Sequence, residues 1–87
     1  MARLVELPNT RWMRTRVQCY TGYGGEEAPQ SFDVGQQRVN IVEIIDRWLS
    51  PDHRYFKVKT SDRKFYVLRQ GRAGAADWEI APFSQKR

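Results

Sequence analysis

The sequence predicts a mainly β protein, a small antiparallel, SH3-like barrel of about five strands. Three observations carry this. Apolar and polar residues alternate over 13–20 and 54–59, the period of half-buried strands, and 64–70 reads as the next strand. β-Branched residues crowd 38–49 at Val39, Ile41, Val42, Ile44 and Ile45. The breaks between these stretches are short, as hairpins require and crossovers do not allow.

Residues 1–12 read as a flexible N-terminal arm. "LVEL" is brief, Pro8-Asn9 breaks it, and Trp12 is the one residue placed to pin the arm to the domain. In "MRTRVQCY" (13–20), Val17 and Cys19 point one way, with Arg14, Arg16, Gln18 and Tyr20 on the other. "TGYGGEEAPQ" (21–30) is expected to be a loop, because its glycines and Pro29 work against a ladder. It lacks the Gly-Lys-Ser/Thr of a phosphate loop, and Glu26 and Glu27 would repel phosphate. "SFDV" (31–34) is a short strand that turns at Gly35.

The stretch 38–49, "RVNIVEIIDRWL", supports two periods. Ile41, Ile44, Ile45, Trp48 and Leu49 fall on a helical stripe, and Asn40 with Glu43 resembles a capping pair. That gives an α+β alternative with a helix at 40–49. The short flanking connections and the β-branched density favour a long strand. Its parity is reconciled by a β-bulge near 41–43, which bends the strand so that it serves two sheets, and Trp48 is expected in the core.

"RYFKVK" (54–59) and "KFYVLRQ" (64–70) form a hairpin. A three-residue loop, Ser61 to Arg63, pairs Val58 with Tyr66 and Phe56 with Leu68 and keeps Lys59 away from Lys64. "GRAGAA" (71–76) is a loop. "DWEIA" (77–81) sets Trp78 and Ile80 on one face, and Pro82 ends the strand. One β-barrel domain is thus expected over 13–82, with a polar tail at 83–87.

Composition bounds the function. A chain of 87 residues with net charge +5 and pI near 9.8 is one domain with a general attraction to polyanions. Cys19 is the one cysteine, so neither an internal disulfide nor a structural zinc site can form. No signal peptide and no apolar run of about 20 residues is visible, which predicts a cytoplasmic protein with no membrane partner. His53, the one histidine, reads as a solvated loop residue. Asp46, Asp62 and Asp77 are not spaced as metal ligands, so no catalytic group, metal or cofactor is expected.

The suggestive constellation is a face. In the preferred register Tyr55, Lys57 and Lys59 share the outer surface with Phe65, Val67 and Arg69, and Arg14 and Arg16 lie on the outer side of their own strand. Cations track phosphates and aromatic rings stack on unpaired bases. The expected function is a non-catalytic module binding single-stranded nucleic acid through this face. The alternative is an adapter docking a protein partner through Tyr55, Phe65 and Val67, or through an open edge strand. Against both stands a plain structural reading, in which Phe65 and Val67 are buried under the N-terminal arm or a partner sheet.

"SFDVGQQRVNIVEIIDRW", "YFKVKTSDRKFYVLR" and "WEI" resemble a family of small, uncharacterised bacterial β-rich domains. Its pattern runs V-x-E-I/V-x-D-R-W, then F-x-V-x-T, a turn, Y-x-L and a final Trp strand. Some members are encoded near translesion DNA polymerases. The resemblance implies work around DNA, on the nucleic acid itself or on a DNA-processing protein, and it brings no established activity with it. Asp46, Arg47 and Trp48 match its motif. Its hairpin turn tends to have Gly where this chain has Arg63, and a non-glycine residue there is costly if φ is positive.

Overall fold

The longest strand decides the architecture. In the computed structural model, which describes residues 12–21 and 27–83, "QRVNIVEIIDRWL" is strand throughout, and the described residues contain no helix. The strands are β1 (Met13–Thr15), β2 (Val17–Thr21), β3 (Glu27–Val34), β4 (Gln37–Leu49), β5 (Arg54–Thr60), β6 (Phe65–Gln70) and β7 (Trp78–Phe83). All neighbours are antiparallel, in the order β1-β7-β6-β5-β4-β3-β2, and the sheet curls into a barrel-like fold. The strand reading of 40–49 therefore holds and the helix does not form.

β4 bends at two irregularities in its pairing with β5. Ile41 faces Thr60 and Glu43 faces Lys59, so Val42 is extra, at the place the sequence predicts. Ile44 faces Val58 and Asp46 faces Lys57, so Ile45 is extra as well. Each bulge inverts parity. Val39, Ile41 and Ile44 all pack on the core, and Val42 and Ile45 point to solvent. The first part of β4 pairs with β3 and the rest with β5, so one bent strand serves both parts of the sheet.

The hairpins follow turn chemistry. Val34 pairs with Gln37 across Gly35-Gln36, and Gly35 has φ +63, a conformation open to glycine at the first position of a two-residue turn. The β5–β6 register is the predicted one, Val58 to Tyr66, Phe56 to Leu68 and Lys59 to Phe65. Arg63 closes that turn at φ 67, so the costly conformation is adopted by an arginine. Thr60 secures the turn from within: its hydroxyl accepts the Lys64 N–H and meets the Asp62 carboxylate.

Three expectations change. Residues 13–20 are two strands, not one: β1 pairs with β7, β2 with β3, and the switch occurs at Arg16. This brings the sheet's two ends together, where the Thr15 hydroxyl donates to Asp33 O at 2.7 Å and accepts its N–H at 3.1 Å. Residues 27–30 belong to β3 rather than a loop. Pro29 is tolerated because the ladder is already irregular there, with Gln30 left over between Ser31 and Pro29. β7 runs through Pro82 to Phe83, because β6 pairs along its whole length whereas β1 covers only Trp78 to Ile80. The expected arm, apart from Trp12, and residues 84–87 of the expected tail lie outside the described residues.

The core joins Phe32, Val39, Phe56, Val58, Tyr66, Leu68, Trp78 and Ile80, with Val17, Cys19 and Ile44 at its margin. The predicted inward faces of β2, β5, β6 and β7 are all represented. Burial raises the Tyr66 phenol above its ordinary value, helped by the Asp62 charge.

Candidate binding surface

The outer face of the sheet follows from the register. Its first cross-strand row is Arg14, Glu79, Arg69, Tyr55 and Trp48. The second runs Ala81, Val67, Lys57 and Asp46, and the third Phe83, Phe65, Lys59 and Glu43. Of the predicted site residues, Arg14, Tyr55, Lys57, Lys59, Phe65 and Arg69 therefore share one surface. Arg16 stands apart, exposed at the junction of β1 and β2, where its carbonyl accepts the Asp33 N–H at 3.2 Å.

Tyr55 is the centre of an aromatic cluster. Trp48 lies parallel to it, with centroids 5.1 Å apart and planes 4° apart. Trp12 meets it edge-on at 6.4 Å, and His53 leans against it at 5.8 Å. Two expectations are corrected here. Trp48 is on the outer face, half-buried against Tyr55, because the second bulge inverts the parity that would have turned it inward. His53 is half-buried on that ring rather than solvated. Its loop is closed by Ser50, whose Oγ accepts the His53 N–H at 3.1 Å and whose own N–H donates to His53 O at 2.9 Å. The Trp12 ring packs on Tyr55, and the Arg69 guanidinium lies 4.1 Å from its centre.

The rest of the face is less open than a binding platform. Val67 is 2% exposed although it points outward, and Ala81 beside it is wholly buried. Phe65 is half-buried, and Lys57 lays its ammonium 4.2 Å from the centre of the Phe83 ring. Long side chains cover apolar surface in this way while their charged ends stay wet. Of the two apolar residues expected on this face, Val67 is therefore buried and Phe65 half-buried.

The charges on this face are matched. Arg14 bonds Asp77 at 3.0 Å and Arg69 bonds Glu79 at 2.7 Å. Lys57 stands opposite Asp46, and Lys59 opposite Glu43. Arg14, with help from the Ala73 N–H, holds the Asp77 carboxyl below its usual range. Asp77 also fits closely against Gly71, where a Cβ would lie 2.2 Å from its Oδ2. Four of the five cations of the sequence pattern, all but Arg16, thus have a carboxylate bonded to them or opposite them. Register reveals three of these partners, Glu79, Asp46 and Glu43, and the sequence reading used it for the aromatic residues without following it to the acids; Asp77 lies just before β7 and is reached only by the Arg14 side chain.

The core-side face of the same strands differs at its end. Arg47 faces Phe56, and Arg54 lies between Leu49 and Gln70. Both guanidinium groups approach the Phe56 ring, at 5.9 and 5.3 Å. Asp46 accepts the Arg47 N–H at 2.8 Å.

A second feature is a shallow cleft of about 270 Å³ where β3 and β4 diverge, lined by Tyr20, Pro29, Gln30, Ile41, Val42, Glu43 and Ile44. Among the described residues no group of His, Cys, Asp and Glu is arranged to hold a metal ion, and no helix is long and apolar enough to cross a membrane. No family model, curated protein or solved structure matches the chain.

Proposed function

We propose that the chain is a non-catalytic, cytoplasmic module that binds single-stranded nucleic acid, with bases stacking at the Trp48–Tyr55–Trp12 cluster. The observation that carries this reading is the parallel Trp48–Tyr55 pair at the outer surface, with Arg69 and His53 beside it. Rings at a surface offer stacking to any base, and such stacking contributes about 1–3 kcal/mol per base. The net positive charge of the chain supplies long-range attraction. The resemblance to domains encoded near translesion polymerases points to DNA as the strand. Fluorescence anisotropy with a labelled single-stranded oligonucleotide tests this. Binding at low salt that weakens steeply as salt rises is expected; its absence at low salt rejects the reading.

An adapter for a DNA-processing protein is the second reading. It is favoured by Val42, 58% exposed, and Ile45, 38% exposed, on the bulges beside the β3–β4 cleft. A protein partner retained after nuclease treatment and at high salt, and lost on Val42→Asp, distinguishes it from the first.

A further inference from the structure

We propose that Arg54 is the centre of a phosphate-binding site on the core-side end of the β4–β5 hairpin, its ligand being a phosphodiester of the bound strand. The argument starts from how the side chain is held. Arg54 Nε and Nη2 both donate to Gln70 Oε1, at 3.1 and 2.8 Å. Gln70 is itself fixed, donating from Nε2 to Ala75 O at 3.2 Å. The guanidinium also lies 5.3 Å from the centre of the Phe56 ring. The arginine is therefore oriented before any ligand arrives, which removes much of the ordering cost of binding.

The group that orients it is neutral. Arg14, Arg38 and Arg69 are instead held by Asp77, Asp33 and Glu79, at 3.0, 3.1 and 2.7 Å. A carboxylate positions an arginine and cancels its charge, whereas an amide positions it and leaves the charge intact. A guanidinium has five N–H donors, and Gln70 takes two of them. The remaining three have no acceptor among the described residues. Arg47 brings a second guanidinium to within 5.9 Å of the centre of the same ring. A half-buried guanidinium, Arg54, and an exposed one, Arg47, thus approach one ring, and an anion near that ring is attracted by both. Planar guanidinium forks match phosphate oxygens in pairs. The site explains how a chain whose outer cations are matched by acids still engages a polyanion. The choice of a phosphodiester over free phosphate rests on the nucleic-acid reading above.

The test uses the full chain and two labelled strands read by anisotropy at low salt: an abasic oligonucleotide, which is phosphodiester without bases, and a mixed-sequence one. Arg54→Ala is expected to weaken the abasic strand about tenfold and to flatten the slope of log affinity against log salt by about 0.7. Gln70→Glu places a carboxylate on the same guanidinium and is expected to cause a similar loss, with circular dichroism showing the fold retained. Inorganic phosphate that competes only at concentrations far above the strand's supports the phosphodiester assignment, and equal affinity overturns it. Unchanged abasic-strand binding in folded Gln70→Glu and Arg54→Ala proteins overturns the site, as does wild-type protein that ignores the abasic strand. The two readings separate cleanly. A mixed strand bound no tighter than the abasic one rejects stacking but keeps Arg54. A mixed strand sensitive to Trp48→Ala alone does the reverse.

Discussion

Arg69 and Arg54 lie one ladder step apart on paired strands and face opposite sides of the sheet. Arg69, on the outer face, gives its Nε to Glu79 at 2.7 Å and covers the Trp12 ring. Arg54, on the core side, gives its Nε to an amide and shares the Phe56 ring with Arg47. The first is part of a charge-balanced lattice that fastens side chains to one another. The second keeps an uncompensated charge in a fixed place. Counting cations on a face therefore says little about its attraction for an anion, and what holds each cation says more.

The strongest way to break the comparison is to remove what both sides share. Trp78 is buried beneath the sheet and pairs with Gln70, so Trp78→Ala should cost about 3–5 kcal/mol in a denaturant titration. Both faces should then lose their geometry together. Next, Trp48→Ala should weaken a mixed-sequence strand by about 1–3 kcal/mol, roughly ten- to a hundredfold. Glu79→Gln sharpens the contrast from the other direction. It converts Arg69 into an arginine held by an amide, so polyanion binding should strengthen a few-fold and become more salt-dependent, as anisotropy across a salt series would show. Arg63→Gly should stabilise the fold by less than about 1 kcal/mol, since relief at φ 67 is partly offset by glycine's larger entropy loss. The smallest effect concerns pH. Asp77 is held below its ordinary value, so its contribution is present at neutral pH and is lost as pH falls through its lowered folded-state value. Melting curves for wild type and Asp77→Asn should therefore converge in acid.

Much of the fold was legible because local chemistry and long-range pairing agree. Gly35 fixes one turn, the three-residue loop that keeps Lys59 from Lys64 fixes the β5–β6 register, and β-branched density outweighs a helical stripe in β4. The second bulge at Ile45 was not legible. Its apolar side chain suits either side of a strand, and the signal for a bulge lies in the partner strand's spacing rather than in β4 itself. That single residue carried Trp48 from the expected core to the outer face. The break at Arg16 was hidden for a related reason: Val17 and Cys19 alternate normally, and only pairing with β7 on one side and β3 on the other divides the stretch. At the candidate site, Tyr55 and its neighbours were found by alternation. Trp12 was foreseen as an anchor but not as a ring against Tyr55. Arg54 was passed over because an arginine at the start of a strand has no periodic signature, and its meaning depends on Gln70, sixteen residues later.

The pairing of β1 with β7 has a consequence for how the domain forms. Met13 finds its partner in Ile80, across nearly the whole described length. During synthesis the first strand must wait for the last, so until then β1 and the far side of β7 present bare backbone. A nascent chain of this kind is vulnerable along that seam, and a truncation before Trp78 would leave it permanently open.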